Sequence, residues 1–343
     1  MPKNLGDVLY QEIGNNSYLL ELYNNILHNY SLKLFGNSKV LPRDVDINHA
    51  LRFADILSKS VHPKQSEKHK IWAQEIVALL NAIYPENTTI RLYMSSVLMN
   101  TGNYRGLGQQ VSTFYGTDFF DQAYSEYIRN SMVVPADPSL YFFKSQKDVY
   151  DELSKQFFSY SGPTSMGKSF IMRMFIKKQI QDGQKKNFAI LVPTKALINE
   201  VSSKIIDDLK DLLAENDYRM VTSAGAISLK QKHNFVLVMT PERLLYLLTE
   251  KKELKIDVLF VDEAHKISSK DSRSPFYYKV IDLVAKRSAK THIAFSSPNI
   301  PNPGVYLRLI PSLQENQIRE LACAYAPVSQ TKHEKSTIFR TIS

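Results

Sequence analysis

The sequence predicts an α/β domain built on a central, mostly parallel sheet and preceded by an all-α domain. Three observations carry this expectation. Residues 162–169 read G-P-T-S-M-G-K-S, a spacing that curls backbone amides around a phosphate, with an apolar run before it and a helical stripe after it. Downstream of residue 141, further short apolar runs alternate with helical stripes, as parallel strands joined by crossover helices do. Upstream of residue 140, apolar residues recur only at helical intervals. At 343 residues the chain is long for one domain and suits two.

The N-terminal helices come first. Leu22, Tyr23, Ile26, Leu27 and Tyr30 share one helical face, as do Ile47, Ala50, Leu51, Ala54 and Leu57. A third stripe joins Ile71, Trp72, Ile76, Leu79, Leu80 and Ile83. Such stripes imply helices packed antiparallel, with Trp72 and the tyrosines in the core. The stretch from Trp72 through Pro85 to Tyr104 resembles a degenerate tetratricopeptide-type helical pair turning at Gly102-Asn103-Tyr104, over at most one and a half repeats. His28, His49, His62 and His69 lack metal-ligand spacing, and no catalytic constellation occurs here. Residues 1–140 are expected to form a helical domain that docks a protein partner.

A boundary falls at MVVPADPSL, where Pro135 and Pro138 stop the helical pattern, and the second domain, 141–330, begins near Tyr141. Ser145 followed by Asp148 reads as a capping box for a helix running to about Gln156. Phe157, Phe158 and Tyr160 then form a strand that breaks at Gly162. In the loop from Gly162 to Ser169, the backbone N–H groups face a phosphate, Lys168 reaches the outer phosphates and the Ser169 hydroxyl ligands Mg²⁺. The following helix carries Phe170, Met174, Ile176 and Ile180. Further strands are expected at Phe188 to Val192, Phe235 to Met239, Val258 to Val261 and Ile293 to Phe295. Each ends in a polar cluster, and in parallel sheets the ligand site lies beyond the strands' carboxyl ends. The cluster after Val261 is Asp262-Glu263-Ala264-His265. An isolated Asp-Glu pair would merely cap the next helix, but with a phosphate loop upstream Asp262 is placed to hold Mg²⁺ and Glu263 to activate a water.

Charge and cysteine usage narrow the partners. The net charge is +9, and all of the basic excess lies in the half with the phosphate loop. Residues 1–140 hold 12 Lys+Arg against 13 Asp+Glu, and the rest holds 31 against 21. A polyanionic partner fits that half, though solvated lysines give the same excess. No apolar run approaches membrane-spanning length, and the N-terminus lacks the apolar core of a secretory signal. The single cysteine, Cys323, excludes an internal disulfide and points to a cytoplasmic home.

Taken together, five stretches resemble motifs I, Ia, Ic, II and III of superfamily-two DEAD/DEAH-box helicases, in family order. They are Gly162-Pro163-Thr164-Ser165-Met166-Gly167-Lys168-Ser169, Pro193-Thr194-Lys195-Ala196-Leu197, Thr240-Pro241-Glu242-Arg243, Asp262-Glu263-Ala264-His265 and Ser296-Ser297-Pro298. The resemblance covers about residues 141–330 and implies the first RecA-like P-loop NTPase domain, with ATP and Mg²⁺ as cofactors. It implies that residues 162–169 bind the nucleotide, that Asp262 and Glu263 serve metal and water, and that His265 links the nucleotide to motif III. It further implies coupling through Ser296 and Ser297, and contacts from Thr194, Lys195, Thr240 and Arg243 to the backbone of DNA or RNA. Gln146 stands where such proteins place an adenine-reading glutamine. Ser165 replaces a usual glycine, where it would alter the loop dihedrals, and Ser-Ser-Pro replaces Ser-Ala-Thr.

The segment APVSQTKH is similar to the connector before a second RecA-like domain, so residues 331–343 are expected to be a truncated connector. Motifs IV to VI, with their arginine finger, are then missing, and Arg340 is no substitute. The expected function is the ATP-binding motor domain of a DNA or RNA helicase or translocase, nearly inactive on its own. Helical module plus helicase is also an arrangement seen in bacterial antiviral defence. A restriction-type translocase, a nucleotide-dependent switch, and an interaction protein docking through its helical module stay open.

Overall fold

The computed structural model describes residues 10, 12–13, 15–36, 40–62, 64–103, 126–223, 233–268, 273–310, 313 and 318–323. Tyr104, Arg340 and the expected connector 331–343 lie outside the described residues. The described residues fall into two compact units, one made of the residues up to Val133 together with Tyr141–Lys144, the other of Val134–Leu140 and the residues from Ser145 onward.

In the helical unit, α1 (Ser17–Phe35), α2 (Ile47–Ser58), α3 (Ser66–Ile83) and α4 (Thr88–Asn100) follow one another. Three of them start on side-chain caps: Asn16 accepts from Leu19 N at 2.9 Å, Asp46 from His49 N at 3.0 Å and Asn87 from Ile90 N at 3.2 Å. Each such cap contributes about 1 kcal/mol. Leu19, Leu22, Ile26, Ala50, Leu51, Leu57, Ala73, Ile76, Val77 and Leu80 meet in one core. The third stripe differs from expectation. Its buried face is His69, Ala73, Ile76, Val77 and Leu80, whereas Ile71, Trp72, Leu79 and Ile83 are half-buried, because α1, α2 and α4 all pack against α3. Lys33 Nζ donates to Ala82 O and Ile83 O, satisfying carbonyls that the end of α3 leaves open.

The second unit is a seven-stranded parallel sheet flanked by helices. A two-stranded sheet of β1 (Val133–Val134) and β2 (Asp137–Tyr141) lies at the expected boundary, so the prolines there mark a turn and an edge strand. Helix α5 (Lys144–Glu152) starts one residue before Ser145 and ends before Gln156, so Ser145 is not its N-cap. Then come β3 (Phe157–Ser161), α6 (Lys168–Gln181), β4 (Phe188–Leu191), α7 (Lys195–Glu215) and β5 (Tyr218–Val221). After them run β6 (Asn234–Met239), α8 (Pro241–Glu250), β7 (Val258–Val261), α9 (Ser274–Arg287), β8 (His292–Ser297) and β9 (Glu320–Ala322). The strand order is β5-β6-β4-β7-β8-β3-β9, and every described pairing is parallel.

Both faces of the sheet are buried. Ala189, Leu191, Leu259 and Val261 face a core shared with Leu244, Leu248, Tyr277 and Ile281 of α8 and α9. Their strand neighbours Phe188, Ile190, Val258 and Phe260 face Ile171, Phe175, Ile198 and Ile205 of α6 and α7. This two-sided burial is why the central strands read as continuous apolar runs. Each fully buried Ile, Leu or Phe contributes about 1.5–3 kcal/mol relative to exposure.

Candidate functional site

Because the strands are parallel, their carboxyl ends share one edge, and the order β6-β4-β7-β8-β3 sets the candidate motifs there in a row. At the β3 end, Gly162 N donates to Ser297 O at 3.2 Å and the chain enters a 3₁₀ turn, Thr164–Met166. A Cβ on Gly162 would lie 2.4 Å from Met166 Sδ, so that side chain would have to shift, and Gly167 has φ +78°, the left-handed region that favours glycine. Ser165 is not among the positive-φ residues. The left-handed turn falls on Gly167 instead, and the serine substitution leaves the loop unstrained.

Gln146 is 4% exposed, not a solvent-facing residue of α5. Its Nε2 donates to Met166 O at 2.8 Å, so the glutamine props the phosphate loop from below. Lys168 Nζ donates to Gly162 O at 3.0 Å and Pro163 O at 3.3 Å, which aims the ammonium into the loop's curl. Burial lowers the pKa of Lys168, and the charges of Glu263 and Asp262 oppose that shift. Ser169 follows it, half-buried, in the first turn of α6.

Asp262 directly follows β7 and is 8% exposed. Its Oδ1 accepts from Ser296 Oγ at 2.5 Å and from Glu263 N at 3.0 Å. Burial raises its pKa, the Ser296 bond opposes this, and the nearby Glu263 charge adds to it. Glu263 has φ +54°, the left-handed region. His265 lies in the following 3₁₀ turn, its Nδ1 3.2 Å from Glu263 Oε2 but off hydrogen-bond alignment. The link from the acidic cluster to Ser296-Ser297 thus runs through Asp262, while His265 turns toward Glu263. Ser297 ties in the other direction, its Oγ donating to Tyr160 O at 3.4 Å. Tyr160, which the sequence marks only as a strand residue, is fully buried beside Ser296, and burial first and Asp262 second raise its pKa.

This donor set fits a nucleoside triphosphate with Mg²⁺. It offers a loop bracketed by two glycines, amides at a helix start, one buried ammonium, one hydroxyl and two carboxylates. Among the described residues no group of three His, Cys, Asp or Glu side chains is suited to a resident metal. One hydroxyl and two carboxylates leave most of a Mg²⁺ shell open, and phosphate oxygens and waters would complete it.

Farther along the edge, Thr194 caps α7 by accepting from Leu197 N at 3.3 Å, and Lys195 beside it is exposed. Thr240 is buried at the start of α8, and Arg243 Nη1 donates to Thr222 O at 3.0 Å. The pairing of β4 with β6 makes these two starts neighbours. Between them lies Arg273, which no sequence spacing singles out. Its Nη1 donates to Pro193 O at 2.6 Å and its Nε lies 3.3 Å from Glu242 Oε1.

Residues 143–300 match the family model of the DEAD/DEAH box helicases. This segment is a DEAD/DEAH box helicase domain. The chain is also similar to the ATP-dependent RNA helicase MAK5 of Candida glabrata, 29% identical over 120 residues, which covers 30% of this chain and 16% of that protein. It thus spans about a sixth of that curated relative. Among solved structures, it is similar to the DUF1998 helicase MrfA bound to DNA (16% identity, TM-score 0.41, covering 54% of this chain and 27% of that one). A hypothetical ATP-dependent RNA helicase from Sulfolobus tokodaii is similar at 19% identity and TM-score 0.38, covering 59% of this chain and 56% of that one. No described helix of the helicase domain or of the helical unit is long and apolar enough to cross a membrane.

Proposed function

We propose that the helicase domain is the ATP-binding half of a motor that hydrolyses ATP with Mg²⁺ and remodels DNA or RNA. One observation supports this above the others: the loop-facing Lys168, the buried Asp262 and the adjacent Glu263 converge at the carboxyl edge of one parallel sheet. ATP with Mg²⁺ would supply the transferable phosphoryl group and part of the charge that neutralises it. In this reading, Lys168 and the loop amides hold the phosphates, and Ser169 and Asp262 hold the cation. A Glu263 carboxylate oxygen orients a water and takes its proton. Ser296 fixes Asp262, and Gln146 holds the loop in shape. Thr194, Lys195, Thr240 and Arg243 face the backbone of the nucleic acid. The helical unit is the candidate docking surface for a protein partner.

The 343 residues alone are expected to turn over slowly. Developing negative charge on the γ-phosphoryl group needs a positive group opposite Lys168. In the family that group is the motif VI arginine, and no such motif occurs in these residues. Arginine fingers contribute about 10³- to 10⁵-fold in rate, or about 4 to 7 kcal/mol of barrier. Against turnover of about 10 s⁻¹ for competent enzymes, the expected rate is about 10⁻² s⁻¹ or slower. The test is phosphate release from the purified chain saturated with ATP, Mg²⁺ and single-stranded nucleic acid, beside Glu263→Gln. Turnover near 1 s⁻¹ would show that these residues, or an assembly of them, supply the missing charge. A rate identical in Glu263→Gln would remove the glutamate from its role.

A further inference from the structure

We infer that Arg273 is a positioning residue for the nucleic-acid edge, clamping the start of α7 to the start of α8. This rests on the reading that Thr194, Lys195, Thr240 and Arg243 face a phosphate backbone. Among the described residues, the sheet fixes the two starts at their roots, where Leu191 pairs with Met239 and Val192 N donates to Met239 O at 3.0 Å. Beyond that point each chain leaves the sheet, and one guanidinium bridges the gap. Its Nη1 reaches the carbonyl of Pro193, directly before Thr194 and Lys195, and its Nε reaches Glu242, between Thr240 and Arg243. A planar fork serves two acceptors in different directions at once, which a lysine ammonium on a single flexible stem does poorly.

The electrostatics favour the same role. Glu242 is a carboxylate at an edge meant for phosphates, and its pairing with Arg273 offsets that repulsion. Arg273 also belongs to the segment that begins at Asp262 and Glu263. Ser274 Oγ donates to Lys266 O at 3.4 Å, tying the start of α9 back to the turn after the acidic cluster. The clamp and the water-orienting glutamate are therefore parts of one continuous stretch.

The test measures binding of fluorescein-labelled oligothymidylate and oligouridylate to the full chain by anisotropy, with fluorescent ADP affinity as the check on folding. Arg273→Ala should weaken the preferred strand by about tenfold, the order expected for a lost charge-assisted contact. The deciding variant is Arg273→Ala with Glu242→Gln, which restores the net charge of the pair but not the clamp. Positioning predicts that it stays at least about fivefold weaker than the parent chain. A double variant that binds like the parent, while Lys195→Ala binds more weakly, overturns the clamp and leaves simple charge. If Lys195→Ala also binds like the parent, the nucleic-acid reading falls and the clamp with it. Should Arg273→Ala lose ADP affinity, Arg273→Lys decides: parent-like strand binding by this variant overturns the clamp, and binding about threefold weaker supports it.

Discussion

Gly162→Ala is the sharpest probe of the phosphate loop, because the structure fixes what the added methyl would meet. Its Cβ would lie 2.4 Å from Met166 Sδ, 3.7 Å from Met166 Cγ and 3.5 Å from Cys323 Cβ. Carbon and sulfur at ordinary contact stand near 3.5–4.0 Å, so one partner must move by more than about 1 Å. Met166 cannot swing away into solvent, since it is fully buried among Tyr160, Ile171 and Val192 and its carbonyl is held by Gln146. Overpacking of this kind costs about 1–3 kcal/mol, which would appear as about a 5- to 150-fold loss in nucleotide affinity if the strain falls on the loop. Met166→Ala removes the obstructing sulfur and by itself costs about 2–5 kcal/mol through the cavity it leaves. The double variant should then recover about 1–2 kcal/mol relative to the sum of the single changes. Urea unfolding followed alongside fluorescent ADP titration measures both quantities. Single effects that add to within about 0.5 kcal/mol would refute the idea that this contact shapes the loop.

Lys168→Ala should lower fluorescent ATP affinity by about 10- to 150-fold, the range for about 1.5–3 kcal/mol of lost charge-assisted bonding, and equal titrations of both forms would sink the assignment. Ser296→Ala removes the hydroxyl that donates to buried Asp262. It should reduce phosphate release at least about fivefold and leave ADP affinity nearly unchanged, whereas loss of both together would mark it as a folding residue. Burial lowers the pKa of His69, so below about 6.5 the unfolded chain binds the proton more readily than the folded one and stability falls as pH drops. The fluorescence of Trp72, the only tryptophan, should report this acid-side loss in the helical unit, and His69→Asn should flatten it; identical slopes would exclude the histidine.

The central strands are legible in the sequence because burial on both faces leaves unbroken apolar runs such as Val258 to Val261. Edge strands lack that signature. In β5, Arg219 is exposed between buried Tyr218 and Val221, and β9 is only Glu320-Leu321-Ala322, so neither stands out from its surroundings. Strand β8 shows only at its apolar centre. His292, Ser296 and Ser297 belong to it although they are polar, because Ser296 and Ser297 spend their hydroxyls on Asp262 and Tyr160. Pro135 and Pro138 do mark the end of a helical stretch, but the residues around them form a pair of short strands, too brief for any period to register. Among site residues, those of the phosphate loop and the acidic cluster are legible because each sits within one short stretch of chain. The part played by Arg273 depends on β4 lying beside β6, and that of Gln146 on α5 packing under the loop. Neither adjacency is written in a local spacing.

The position of backbone strain separates the two halves of the candidate nucleotide site. The loop, where Ser165 replaces a family glycine, carries its left-handed turn on Gly167, where it costs nothing. The acidic cluster does the opposite and places a left-handed φ of +54° on Glu263, a residue with a side chain, at about 1–2 kcal/mol. Such strain persists only where surrounding contacts fix it. Here Asp262 Oδ1 accepts from the strained residue's own N–H at 3.0 Å and from Ser296 at 2.5 Å, so the aspartate proposed to hold the cation also holds the glutamate's backbone. Any change that loosens Ser296 from Asp262 would therefore release Glu263 toward ordinary backbone angles and turn its carboxylate away from the loop. That arrangement gives a serine on the neighbouring strand β8 a direct physical route to the position of the candidate water-activating group.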